Sequence, residues 1–122
     1  MASNLNTVEI KAFVPARDFE QSRSFYQAVG FTLASDTQGV AYFYHGHCSF
    51  LLQNFYEKTL AENLMMHLLV EDVDAWHTAV TERKIATTFG VRVSELVDQP
   101  WGMREFTLHD PSGVLWRIAQ NV

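Results

Sequence analysis

Alternation with a period of two runs through this chain and constrains its fold more than any other feature. Side chains along an extended strand point to opposite faces in turn. One parity collects Ile10, Ala12 and Val14; Phe50 and Leu52; Met66, Leu68 and Val70; Phe106 and Leu108; Val114, Trp116 and Ile118, and every one is apolar. A face so uniform has to be covered, and packed helices are the natural cover. The other parity collects Glu9, Lys11 and Phe13; Leu51 and Gln53; Met65, His67 and Leu69; Glu105, Thr107 and His109; Leu115, Arg117 and Ala119. That face is too apolar for open solvent and too polar for a core. It suits a ligand cavity or a contact surface between two copies.

The covering helices are visible in the sequence. "ARDFEQSRSFYQAV" follows the strand-like "VEIKAFV", with Asp18 as N-cap, Gln21 three residues on, and Phe19, Phe25, Tyr26 and Val29 at helical spacing. Gly30 provides a C-terminal stop. "DVDAWHTAVTERK" follows "LMMHLLVE" in the same way, with Asp72 or Asp74 as cap and Val73, Trp76, Ala79 and Val80 as its stripe. Three strand candidates come after each helix: "FTLASDT", "GVAYFYHG" and "CSFLLQNF", then "TTFGVRVSELV", "GMREFTLHD" and "GVLWRIAQ". The order is βαβββ, twice. The expected fold class is α+β, with two modules curling antiparallel half-barrel sheets, a helix outside each. The chain reads as one domain over 1–122, with module one at about 5–56 and module two at about 63–122, joined through the polar stretch Phe55 to Leu64.

Composition removes several function classes. The net charge is −5 and there is no basic run, which argues against a nucleic-acid partner. No apolar run approaches membrane-spanning length and no signal pattern opens the chain, so no membrane partner is expected and a cytoplasmic location is. Cys48 is the only cysteine, which excludes an intrachain disulfide; its apolar surroundings predict a buried, inert thiol. No G-x-S-x-G elbow, Walker loop or G-x-G-x-x-G occurs. His45 and His47 flank Gly46 at an expected hairpin tip. In "DPSG", Asp110, Pro111 and Gly113 supply turn chemistry.

The double βαβββ order, "ARDFEQSRSFYQAVGF", "LLVEDVDAW" and "HDPSGVLWRIAQ" together resemble the vicinal oxygen chelate superfamily of glyoxalases, bleomycin-resistance proteins and dioxygenases. The resemblance covers nearly the whole chain, and "QPWGMREFTLHDPSG" is most similar to the bleomycin-resistance branch. It implies a homodimer with ligand clefts built from both subunits, and half-barrels with open edges favour such pairing. In the metalloenzymes of the superfamily, inner-face His and Glu hold a metal. The matching positions here are Glu9, Leu51 or Gln53, Met65 and Arg117, of which only Glu9 suits a hard cation.

The resemblance therefore implies a metal-independent, non-enzymatic protein that binds an aromatic or cationic small molecule, without cofactor, metal or catalytic residue. Its expected ligand-binding set is Glu9, Phe13, Gln53, His67, Trp101, Glu105 and Arg117. Trp101, Phe13 and the tyrosines would stack on flat rings; Glu9 and Glu105 would meet cations, and Arg117 an anion or carbonyl. Two alternatives stay open. One is a metal-dependent glyoxalase-like lyase, isomerase or dioxygenase, with His67 as ligand beside Glu9 and Glu105 after a register shift. The other is a domain that only dimerises or docks a partner.

Overall fold

A computed structural model of the chain describes residues 3–122. The first half contains β1 (Phe13–Pro15), α1 (Phe19–Val29), β2 (Thr32–Thr37), β3 (Val40–His45) and β4 (Cys48–Gln53). A short helix, α2 (Lys58–Asn63), crosses to the second half. There follow β5 (Met65–Leu69), α3 (Val73–Glu82), α4 (Ile85–Phe89), β6 (Val97–Gln99), β7 (Met103–His109) and β8 (Leu115–Asn121). The strands form two open four-stranded sheets, ordered β1-β4-β3-β2 and β5-β8-β7-β6. The fold is α+β with two βαβββ halves, as the sequence predicts. The sheets are mixed, and not antiparallel throughout as expected, because β1 runs parallel to β4 and β5 runs parallel to β8 while the other pairs are antiparallel. No helix among the described residues is long and apolar enough to cross a membrane.

The caps lie where the sequence places them. The Asp18 carboxylate accepts the Gln21 amide at 3.1 Å, and Asp72 accepts that of Ala75 at 3.0 Å. These satisfy helix donors that would otherwise lack partners. Gly30 ends α1 at φ 129°, a conformation that favours glycine.

Three further expectations change. The predicted strand over "VEIKAFV" is ordered as a strand only from Phe13, and Ile10 is 95% exposed instead of lying under the helices. Phe13 pairs with Leu51, and ahead of it the Leu51 amide still donates to the Ala12 carbonyl at 3.0 Å, but the segment before Ala12 leaves the sheet although Cys48 and Ser49 of β4 extend beside it. The predicted strand over "TTFGVRVSELV" splits into α4, an isolated bridge from Val93 to Leu108, and β6. The polar seam after Phe55 holds α2, whose Glu57 carboxylate caps the Leu60 amide at 2.7 Å.

From Val14 onward, the residues of the apolar parity line one continuous core that spans both halves. Tyr26 is its centre, with ring contacts to Phe25, Phe31, Phe43, Phe50 and Trp116. Its phenol donates to the Asp110 carboxylate at 2.6 Å and accepts the Trp116 indole N–H at 2.9 Å. The other Asp110 oxygen accepts the amides of Ser112 and Val114, at 2.8 and 2.9 Å. A helix of the first half is thus tied to the turn and last strand of the second through buried, satisfied polar groups. Burial, with Asp110 beside it, pushes the Tyr26 phenol well above its ordinary pKa, so it stays a donor.

Replacing Asp110 with Ala strands a buried phenol and two amides. We expect a loss of about 3 kcal/mol in urea unfolding, against about 2 kcal/mol for Tyr26→Phe, which removes the donor to Asp110 and the acceptor of the Trp116 indole N–H. The double variant should lose less than the sum of the two.

Candidate functional site

The parity that does not enter the core faces the open side of each sheet and carries two polar clusters. The first gathers on Glu9. Its carboxylate accepts the Tyr42 phenol at 2.8 Å, the Ser49 hydroxyl, and the Lys11 ammonium at 2.7 Å. Tyr42 pairs with Leu51 and Tyr44 with Ser49 across the β3–β4 hairpin, which puts Tyr42 and Ser49 on neighbouring diagonal positions of one face. The extended segment before β1 lies across that diagonal. Lys11, then Ser49 and Tyr42, lower the Glu9 pKa from 4.5 to about 2. A groove of about 510 Å³ opens beside the carboxylate, lined by Val8, Tyr42, Tyr44, His47 and Cys48 among others.

The second cluster lies on the other sheet. Glu105 on β7 is 3% exposed and accepts the Arg117 guanidinium at 2.7 Å and the Gln99 amide at 2.9 Å. Arg117 on β8 also points its Nε at the Met65 sulfur, 3.3 Å away. Arg117 therefore carries the counter-charge that a buried carboxylate requires. Arg117 pairs with Glu105, and Glu9 keeps to its own cluster.

The other expected residues scatter around these two centres. Phe13 on β1 and Trp101 in the turn before β7 are large and exposed, Trp101 at 60%. Gln53 ends β4, where its carbonyl accepts the Ala16 amide at 3.0 Å. His67 stands opposite Arg117 on β5 and is exposed. The positions that the resemblance assigns to a metal do not fit one. Met65 and Arg117 cannot serve a hard cation. Glu9 is occupied by an ammonium and two hydroxyls. No three His, Cys, Asp or Glu side chains converge among the described residues. Cys48 is exposed, contrary to the buried thiol expected, because β4 begins there beyond the helix layer. Sequence reasoning missed Ser49, Lys11 and Gln99. Gln99 could have been found from its position beside Met103 at the turn end of the β6–β7 hairpin, diagonal to Glu105, whose direct partner is Val97.

Paired βαβββ modules with open sheets and fixed charges on the uncovered faces define a class of half-barrel α+β proteins. Residues 5–118 match the family model of the Glyoxalase/Bleomycin resistance protein/Dioxygenase superfamily. The chain belongs to that superfamily. No curated protein sequence matches it significantly. Among solved structures, it is similar to a bleomycin-binding protein complexed with bleomycin, at 25% identity and TM-score 0.81, covering 95% of this chain and 100% of that one. An antibiotic-binding protein from Streptomyces sp. CB03234 matches at 26% identity and TM-score 0.76, over 99% and 100% of the two chains. The bleomycin-binding protein of bleomycin-producing Streptomyces verticillus, with copper(II)-bleomycin, matches in fold at 21% identity and TM-score 0.80, over 98% and 100%.

Two outcomes follow from the geometry. Glu9 has a lower pKa docked than released, so its ionised form favours docking of the segment before β1. That contribution is complete above the released value of 4.5 and is lost as pH falls through about 2. Amide exchange over residues 8–12, corrected for intrinsic rates, should be less protected at about pH 3 than at about pH 6. Separately, Arg117→Met leaves Glu105 buried without its cation and should cost roughly 3 kcal/mol in urea unfolding, partly restored by adding Glu105→Gln.

Proposed function

We propose that this chain is a metal-independent binding protein that sequesters an antibiotic of the bleomycin type, or another aromatic or cationic natural product, on its inner sheet faces. The observation that carries the reading is the make-up of those faces. Phe13, Tyr44, Met65 and Leu69 are left exposed there, on sheets whose charges are already held in place by neighbours, and Trp101 is exposed in the turn before β7. Exposed aromatic faces stack on planar rings and attract cations. Fixed charges orient a ligand without the cost of ordering them on binding. The similarity to two antibiotic-binding proteins along the full chain supports the same reading.

The residues take distinct roles. Trp101 and Phe13 supply stacking surface. Glu9, ionised and bordering the groove, meets a cationic group. Glu105 is deeply buried, holds Arg117 and Gln99 through one oxygen, and serves to aim Arg117, whose remaining N–H groups meet a carbonyl or anion. Gln53 and His67 add hydrogen-bonding capacity at the rims. A second copy of the chain completes the cleft. Leu5, Val8 and Ile10 project from the segment before β1, each more than four-fifths exposed, and apolar side chains of that kind are suited to a partner subunit.

Titration with metal-free and copper-loaded bleomycin, followed by tryptophan fluorescence, tests the proposal. We expect saturable quenching and a sedimenting species of twice the chain mass. By calorimetry, Trp101→Ala should weaken binding at least about tenfold at an unchanged melting temperature. Absence of saturation with both forms, or unchanged affinity of the variant, overturns the reading.

A further inference from the structure

A pocket of about 320 Å³ lies between the DPSG turn, the start of α1 and the segment that follows α4. It shares no residue with the groove beside Glu9 or with the cluster around Glu105. Arg17, Gln21, Arg92 and His109 bring hydrogen-bonding groups to its wall, and Phe89 and Pro111 bring apolar surface.

The arginines make this pocket unusual. The chain has six, and the fold uses four of them. Arg23, Arg104 and Arg117 pair with carboxylates, and Arg83 donates to the α1 carbonyl of Val29 at 2.9 Å. Arg17 and Arg92 form no ion pair among the described residues, although acidic side chains outnumber basic ones fourteen to nine. Both line the same pocket. Each is held from its backbone. The Arg17 amide donates to the Ser112 hydroxyl at 2.9 Å, and the Arg92 carbonyl accepts the His109 amide at 3.0 Å. The Arg17 guanidinium also lies 5.9 Å from the Tyr56 ring centre.

Two further observations point to an anion. The one carboxylate in the wall, Asp110, is 2% exposed and fully engaged by Tyr26, Ser112 and Val114, so it does not answer the arginines. His109 keeps an enclosed Nδ1 with no partner among the described residues. Burial, then the Arg92 charge, holds its imidazole below the ordinary pKa, which leaves a neutral ring able to donate one N–H.

We propose that this pocket binds a phosphate group, either as the free ion or at the end of a small phosphomonoester. Two planar guanidinium forks match the oxygens of a tetrahedral oxyanion. The volume exceeds that of phosphate alone, and the Phe89 and Pro111 surfaces are placed to cover an attached organic group.

Inorganic phosphate and phenyl phosphate, each titrated at constant ionic strength against sodium chloride, test this by NMR of the His109 ring. We expect saturable shifts with both probes and none with chloride. Tighter binding of phenyl phosphate assigns the site to a phosphomonoester; equal binding assigns it to the phosphate group alone. Arg17→Gln and Arg92→Gln, singly and together, alter exposed side chains and should leave the melting temperature and the bleomycin response as they were. The double variant should lose at least about tenfold in phosphate affinity. Absence of saturable shifts with either probe, or undiminished affinity in the double variant, overturns the proposal.

Discussion

The hydrogen bond from Tyr26 to Asp110 is the contact on which the architecture turns. It joins a helix of the first half to a turn of the second, inside a core that both halves share. Neither sheet has a closed hydrophobic interior of its own. Each leaves one face open, so each depends on the common core beneath the helices for burial. The phenol sits where the rings of Phe31, Phe43, Phe50 and Trp116 converge, and a polar atom there is tolerable only because two partners, the Asp110 carboxylate and the Trp116 indole N–H, meet it in good geometry. Relative placement of the two open faces follows from that anchor.

Those open faces then acquire character from how their charges are matched. Glu105 and Arg117 neutralise one another on the second sheet, and Glu9 is answered by Lys11 and two hydroxyls on the first. Such an arrangement offers directional donors and acceptors next to aromatic surface. It offers no set of lone pairs aimed at one point, which is what a cation with several coordination positions demands. Recognition by shape and charge is the chemistry that directional groups beside aromatic surface support.

The sequence was most readable where neighbouring strands repeat their pattern. Phe50, Leu52, Phe106, Leu108, Trp116 and Ile118 are buried as their alternation demands. Asp18 and Asp72 cap the helices that their spacing announces. Ile10 shows the limit of the method, because alternation says which way a side chain would point in a strand and not whether the segment stays in the sheet. The segment after α3 shows another. "TTFGVRVSELV" is rich in β-branched residues, yet its first part is helical and its remainder meets β7 in two separate places. Tertiary packing overrides propensity there. Within the site, Arg117 and Glu105 were visible as ionisable residues on one face. The ring of partners around Glu9 was not, since it depends on a segment of chain crossing a hairpin at one particular diagonal.

The position of β8 has a consequence for biosynthesis. It lies between β5 and β7, although it comes last among the strands. As a nascent chain lengthens, β5 emerges with no neighbour, and β7 gains only the short β6. Trp116, which covers Phe31 and Phe50 and donates to Tyr26, belongs to the same late strand. The first half therefore cannot seal its interior while translation is still upstream of Leu115–Asn121. Completion of both halves thus waits on one strand, instead of proceeding module by module.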